Sequence, residues 1–148
     1  NIPVENADNY LLGFTLAVML VSRELIREES DAKAGFGRSF DVGGAIGPVI
    51  TTPDDLDESL VEETPARKYG LSVVTRINGV EVGRGDIAEL PATFAELLAA
   101  ASDSGPVRSG DLIAIGPIAT SETQQFLEVG DDIQVSVEHL GTLSLKVS

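Results

Sequence analysis

With no cysteine and one histidine among 148 residues, the chemistry open to this chain rests on carboxylates, arginines and hydroxyls. Thiolate nucleophiles, thiolate metal sites and disulfides are excluded, as is a cluster of imidazoles. His139 stands between Glu138 and Leu140 and reads as a surface or edge residue. A Ser-His-Asp triad would have to use it, and no serine lies in a Gly-x-Ser-x-Gly elbow. Six carboxylates crowd one stretch: Asp54, Asp55, Asp57, Glu58, Glu62 and Glu63. They could gather a cation but lack the spacing and central glycine of a calcium loop. A solvated helix start capped by Asp54 or Asp55 accounts for them better. Gly83-Arg84-Gly85-Asp86 reads as a loop rather than a phosphate cradle, because no suitable helix opens behind it. Tyr10 and Tyr69 are read as packing residues with hydrogen-bonded tips rather than acid–base groups.

The charge balance narrows the partners. Twenty-four acidic residues against ten basic ones give a net charge of -14, with a pI near 4.2. Such a surface repels phosphate backbones and anionic lipid headgroups, so neither nucleic acid nor membrane is an expected partner. If the ligand is a small anion, the few arginines and lysines near a pocket become the candidates to hold it. The most apolar stretch, Tyr10 to Val21, is interrupted by Gly13 and Thr15. It falls short of the ~20 apolar residues of a membrane span. No basic start or cleavage site marks a signal peptide, and a cytoplasmic location is expected.

The elements that must position these groups are mostly short strands. Leu11 to Val21 is expected as a strand buried on both faces. In the polar run from Ser22 to Gly37, Arg23, Glu24, Arg27 and Glu28 could share helical faces, and Gly35 and Gly37 end any regular element. Glycines 43, 44 and 47 with Pro48 imply close backbone approach or a sharp turn. Leu71 to Ile77 reads as a strand, turned by Asn78-Gly79 into Val80-Glu81-Val82. Phe94, Leu97, Leu98 and Ala101 repeat at helical spacing behind Pro91 and Thr93. Leu112 to Ile115, Ile133 to Val137 and Leu143 to Val147 complete the expected strands. The whole predicts one mainly β (α+β) domain over residues 1–148 with one or two short helices.

Five pieces in order carry a resemblance: Gly13-Phe14-Thr15, Gly37-Arg38-Ser39-Phe40-Asp41 with Gly47-Pro48 and Thr52-Pro53-Asp54, Asn78-Gly79 with the helix after it, Ser109-Gly110-Asp111-Leu112-Ile113-Ala114, and Gly130-Asp131 through Leu140-Gly141-Thr142-Leu143. Together they resemble the catalytic part of the fumarylacetoacetate hydrolase family. The sister branch of 2-keto-4-pentenoate hydratases shares the last two. The resemblance implies a mixed, rolled β-sheet and, usually, a dimer. It further implies magnesium, manganese or calcium bound by carboxylates, and a 2-oxo or 1,3-dicarbonyl acid converted through its enolate.

This chain departs from that pattern at the metal. The family's Glu-x-Glu ligand pair precedes its Gly-Tyr-Thr strand by more residues than stand before Gly13. Its Asn-Asp pair, which supplies another ligand, matches Val18 and Met19, and a thioether is a poor ligand for a hard cation. The family's strand-ending Thr is Ile115, ahead of Gly116-Pro117. No cofactor is therefore expected from this chain alone. What the resemblance retains is Arg23 with Glu24, and Arg38 where the family usually carries a lysine. Arginine presents a flat two-pronged donor that suits a carboxylate or enolate, and it is no proton-transferring base.

The resemblance thus implies Arg38, Glu24 and Asp41 as catalytic groups, with Arg23, Ser39, Gly116 and Pro117 around the substrate. The expected substrate is a small anionic dicarbonyl compound. The expected reaction is C–C hydrolysis, decarboxylation, isomerisation or cyclisation. The alternative is a metal-free, non-catalytic subunit or binding module that pairs with another polypeptide. Both arginines could also be structural bridges to Glu24 and Asp41. A homo-oligomer or a partner subunit is expected either way.

Overall fold

The computed structural model describes residues 1–47, 49–116, 118 and 126–148. In chain order its elements are helix α1 (Val4–Ala7), strand β1 (Ala17–Leu20), helix α2 (Arg23–Asp31), strand β2 (Gly43–Ile46), a 3-10 segment (Pro53–Ser59), strands β3 (Leu60–Glu62), β4 (Lys68–Tyr69), β5 (Ser72–Ile77) and β6 (Val80–Asp86), helix α3 (Phe94–Ser104), and strands β7 (Asp132–Val137) and β8 (Gly141–Lys146). The architecture is mainly β with short helices, as the sequence implied.

The largest sheet has the order β6-β5-β7-β8. Two smaller two-stranded sheets pair β1 with β2 and β3 with β4. Every pairing among the described strands is antiparallel. Register follows side-chain chemistry: Val73 faces Val137, and Ile77 faces Ile133. The principal core gathers Val73, Val137, Leu140 and Leu143 from the sheet with Phe14, Leu16, Leu56, Tyr69, Leu71 and Ile87. Aromatic edges close it, with Phe14 centred 5.4 Å from Tyr69 and 4.5 Å from Phe94. Tyr69 is thus a packing residue, and burial pushes its hydroxyl pKa up while the Arg67 guanidinium opposes the shift.

The turn pairs of the sequence meet in space. Asn78 and Gly79 both take positive φ, 52° and 80°, the conformation of a two-residue hairpin turn. The Asn78 amide donates to Asp131 Oδ1 at 2.8 Å, and its Oδ1 accepts from the Asp132 N–H at 3.0 Å. The two Gly-Asp pairs are built alike: Asp111 caps the Arg108 N–H and Asp131 caps the Glu128 N–H, each at 2.8 Å. Asn78 thereby ties the β5–β6 hairpin turn to the start of β7.

Helix α3 starts at a capping box, in which Thr93 Oγ1 accepts the Glu96 N–H and Glu96 Oε2 accepts the Thr93 N–H. Thr93→Ala is expected to lower stability by about 1 kcal/mol, read from urea unfolding. An unchanged midpoint would show that the cap contributes nothing. Ala95 and Leu98 of α3 pack with Ala7 and Ala66 in a second, smaller core.

Three expectations are corrected. Leu11 to Val21 is not one doubly buried strand: β1 covers only Ala17–Leu20 and alternates between half-buried and exposed. Among the described strands its single neighbour is β2, so its other edge is unpaired, and Leu12 before it is 77% exposed. Leu112 to Ile115 forms no strand, because no described strand pairs with it. Gly83-Arg84-Gly85-Asp86 belongs to β6 rather than a loop, continuing the ladder past an irregularity between Thr75 and Arg76. Glycines inside a strand are compatible with such a bulge.

Candidate functional site

The unit β1–α2–β2 gathers most of the residues singled out by sequence. Met19 lies opposite Gly44 and Leu20 opposite Gly43. The strands approach so closely that a Cβ at Gly44 would meet the Val18 carbonyl oxygen, which explains the glycine there. Val18 and Ala45 turn toward the principal core. Ala17, Met19 and Ile46 make the exposed face, with Met19 56% exposed.

From Leu20 the chain passes straight into α2. Ser22 is its N-cap, its side chain accepting the Leu25 N–H at 3.3 Å. Arg23 and Glu24 are therefore the first helical residues, both exposed. After Asp31 the chain turns and runs back along the helix. The Ser39 carbonyl accepts the Ser22 N–H at 3.0 Å, which brings the Arg38–Asp41 run beside the start of α2. A turn closed by the Asp41 N–H on the Arg38 carbonyl, 3.3 Å, then leads into β2.

Glu29 anchors this returning loop and was not singled out by sequence reasoning. Only 7% exposed, it accepts the Arg38 N–H on Oε1 at 2.8 Å and the Ser39 N–H on Oε2 at 3.3 Å. The Ser39 hydroxyl holds its carboxyl below the ordinary range, helped by both backbone N–H groups and the Arg38 charge, with burial opposing. A lowered folded-state pKa means that this carboxylate stabilises the fold fully above the ordinary glutamate range. The contribution fades as pH falls from there and is gone below the lowered value. The stability difference between wild type and Glu29→Gln is therefore expected to shrink on acidification, measured by urea unfolding at neutral and acid pH. A difference independent of pH would contradict this.

Ser39 is wholly buried, leaving its side chain no surface from which to touch a ligand. Its hydroxyl oxygen also lies 3.4 Å from the Phe36 carbonyl oxygen. Gly116 lies outside the β1–α2–β2 unit, and no hydrogen bond among those described joins it to Arg23, Arg38 or Asp41. Pro117 falls outside the described residues. The ion pairs among the described residues join Glu81 to Arg76 and Arg84, and His139 Nε2 lies 3.9 Å from Glu138 Oε1. Neither Arg23–Glu24 nor Arg38–Asp41 is among them. Both guanidinium groups thus face solvent without a carboxylate partner among the described side chains, which disfavours the structural-bridge alternative.

A hard divalent cation would need a cluster of oxygen donors. Among the described residues no three His, Cys, Asp or Glu side chains stand close enough to hold one. The strand position expected to contribute a carboxylate carries the Met19 thioether. The described residues of this chain do not by themselves fit such an ion. Among the described residues no helix is long and apolar enough to cross a membrane.

A family model described as "Fumarylacetoacetate (FAA) hydrolase C-terminal" matches residues 1–148. The chain is similar to an uncharacterised protein of Archaeoglobus fulgidus, 29% identical over 97% of this chain and 50% of that protein. It is also similar to the oxaloacetate tautomerase YisK of Bacillus subtilis, 27% identical over 97% of this chain and 45% of that one. The chain spans about half the length of these curated relatives. In fold it is similar to the fumarylpyruvate hydrolase of Pseudomonas aeruginosa, solved in complex with Mn2+ and pyruvate. That match has a TM-score of 0.79 at 21% identity and covers 99% of this chain and 58% of that one.

Proposed function

We propose that this chain, which belongs to the fumarylacetoacetate hydrolase family, acts on a small 2-oxo or 1,3-dicarbonyl acid through its enolate. The observation that carries this reading is the exposed Arg38 guanidinium, which pairs with no carboxylate among the described residues and is mounted on a loop clamped against α2 with Arg23 at the helix start. The relatives' names add the substrate class, since one is an oxaloacetate tautomerase and another a fumarylpyruvate hydrolase.

The chain's own groups divide the work. Arg38 and Arg23 bind the acid's carboxylate and the oxygen on which charge develops. Glu24 or Asp41 takes the proton from the carbon beside the carbonyl, and the C–H electron pair moves toward that oxygen. Returning the proton at another position isomerises the acid. In decarboxylation the electron pair of the C–C bond to the departing carbon dioxide moves to that oxygen instead, and the carbon then takes up a proton. In C–C hydrolysis Glu24 or Asp41 takes a proton from water as it adds to one carbonyl carbon, and the C–C bond then breaks to release the enolate, which is protonated at carbon. Gly116 is proposed to line the substrate side, whereas Ser39 supports the loop from within. A metal, when bound by the family's enzymes, supplies Lewis-acid stabilisation of the enolate.

A second reading is favoured by Met19, whose thioether stands where the family supplies a carboxylate: a binding module or subunit that holds the acid without converting it. Association with a second polypeptide or copy would cover the exposed apolar face at Ala17, Met19 and Ile46. Ultraviolet assays of oxaloacetate and acylpyruvates separate the two readings. Loss of the enol or diketone absorbance above background supports the enzyme. Saturable binding without turnover supports the module. Neither binding nor turnover would contradict both.

A further inference from the structure

The described polar residues that are buried are few: Glu29, Ser39 and Ser102. Ser102 ties Ile2 to α3 through a 2.8 Å hydrogen bond from the Ile2 N–H. Glu29 and Ser39 instead meet directly behind Arg38. A buried carboxylate is costly unless its oxygens are satisfied. Here each oxygen takes a different backbone N–H, and the two donors are consecutive, Arg38 and Ser39. Two bonds to one planar group fix the adjoining peptide planes, where a single bond would leave them free to rotate. On the far side of Ser39 the carbonyl is held by the Ser22 N–H, so the backbone is tied at both ends of this residue. The Arg38 side chain departs from this tied backbone into solvent.

We propose that Glu29 is a positioning residue for ligand binding: by clamping the Arg38 and Ser39 N–H groups it aims the Arg38 guanidinium at the anionic acid. This rests on the reading of Arg38 as the anion-binding group. A carboxylate serves better than an amide here, because both its oxygens accept, whereas glutamine presents one acceptor and one donor. Its negative charge also counters the local cation without neutralising the guanidinium by direct pairing, since no Arg38–Glu29 ion pair forms within 4.0 Å.

The test uses oxalate, a planar dianion with adjacent carboxylates, titrated calorimetrically at neutral pH into wild type, Glu29→Gln, Arg38→Ala and the double variant. Thermal melts establish that each is folded at the working temperature. Arg38→Ala is expected to weaken binding at least tenfold and Glu29→Gln about fivefold, with no further loss in the double variant. That non-additivity is what a merely structural glutamate would not produce. Should Glu29→Gln fail to fold, Glu29→Asp keeps the charge while shortening its reach, and the same cycle applies. Wild-type affinity in the Glu29 variant, beside a loss in Arg38→Ala, would overturn the positioning role alone. A fully additive loss would do the same. Unchanged affinity in Arg38→Ala, or no binding by wild type, would overturn the anion-site reading and this role with it.

Discussion

Arg38→Ala is expected to lower affinity for a 2-oxo acid or its oxalate mimic by about 10- to 100-fold and to abolish turnover. The size follows from chemistry. A hydrogen bond to a charged partner contributes about 1.5–3 kcal/mol, and 1.4 kcal/mol is tenfold in affinity. Turnover suffers more than binding because charge builds on the substrate oxygen only as the enolate forms. The substitution should leave the fold intact, since the side chain is exposed and makes no described ion pair, while the backbone N–H that Glu29 accepts is retained. Arg38→Lys should recover part of the affinity, because a point charge replaces the two-pronged donor without its geometry. Calorimetry and initial rates check this, and unchanged values in Arg38→Ala would remove Arg38 from the site.

Leu56→Ala is expected to have the largest effect on stability, about 2–5 kcal/mol, with a fall in Tm of roughly 10 °C. Leu56 is fully buried although it sits inside the acidic run, in the 3-10 segment between Pro53 and Ser59. It reaches the core formed by Phe14, Tyr69, Leu71 and Val137, while Asp54 and Asp55 remain in solvent. Removing the isobutyl group leaves a cavity that the surrounding strands can only partly close. Asp54→Asn on the same segment should change stability by less than about 0.5 kcal/mol. Urea unfolding of the pair checks both. A Leu56→Ala loss below about 1 kcal/mol would mean that the segment is not seated on the core.

Those two residues mark what the sequence made legible. The hairpin at Asn78-Gly79 and the helix after Thr93 were readable because turn chemistry, capping and periodicity act within a few residues. The acidic run was readable as solvated, but its cap was not: the segment is a 3-10 helix whose N-cap, Thr52, makes no side-chain cap bond. The one-sided burial of β1 was not readable, because so short an apolar run looks the same whether one or both of its faces are covered. The resemblance pointed to Arg23, Glu24, Arg38 and Asp41, which the β1–α2–β2 unit brings together. Glu29 was invisible for a physical reason. It looks like one more charge on a polar helix, and its burial depends on a loop that returns nine and ten residues later. A glutamate followed nine and ten residues later by Arg38-Ser39 is the only signal the sequence carries.

Enolate formation from a 2-oxo acid, the step shared by isomerisation, decarboxylation and C–C cleavage, is what we propose this chain carries out. Proton NMR of pyruvate and oxaloacetate in D2O reads that step directly, as loss of the signal from the carbon beside the carbonyl. The expected result is exchange well above the protein-free rate, lost in Arg38→Ala. Exchange at the background rate with wild-type protein would contradict the enzyme reading.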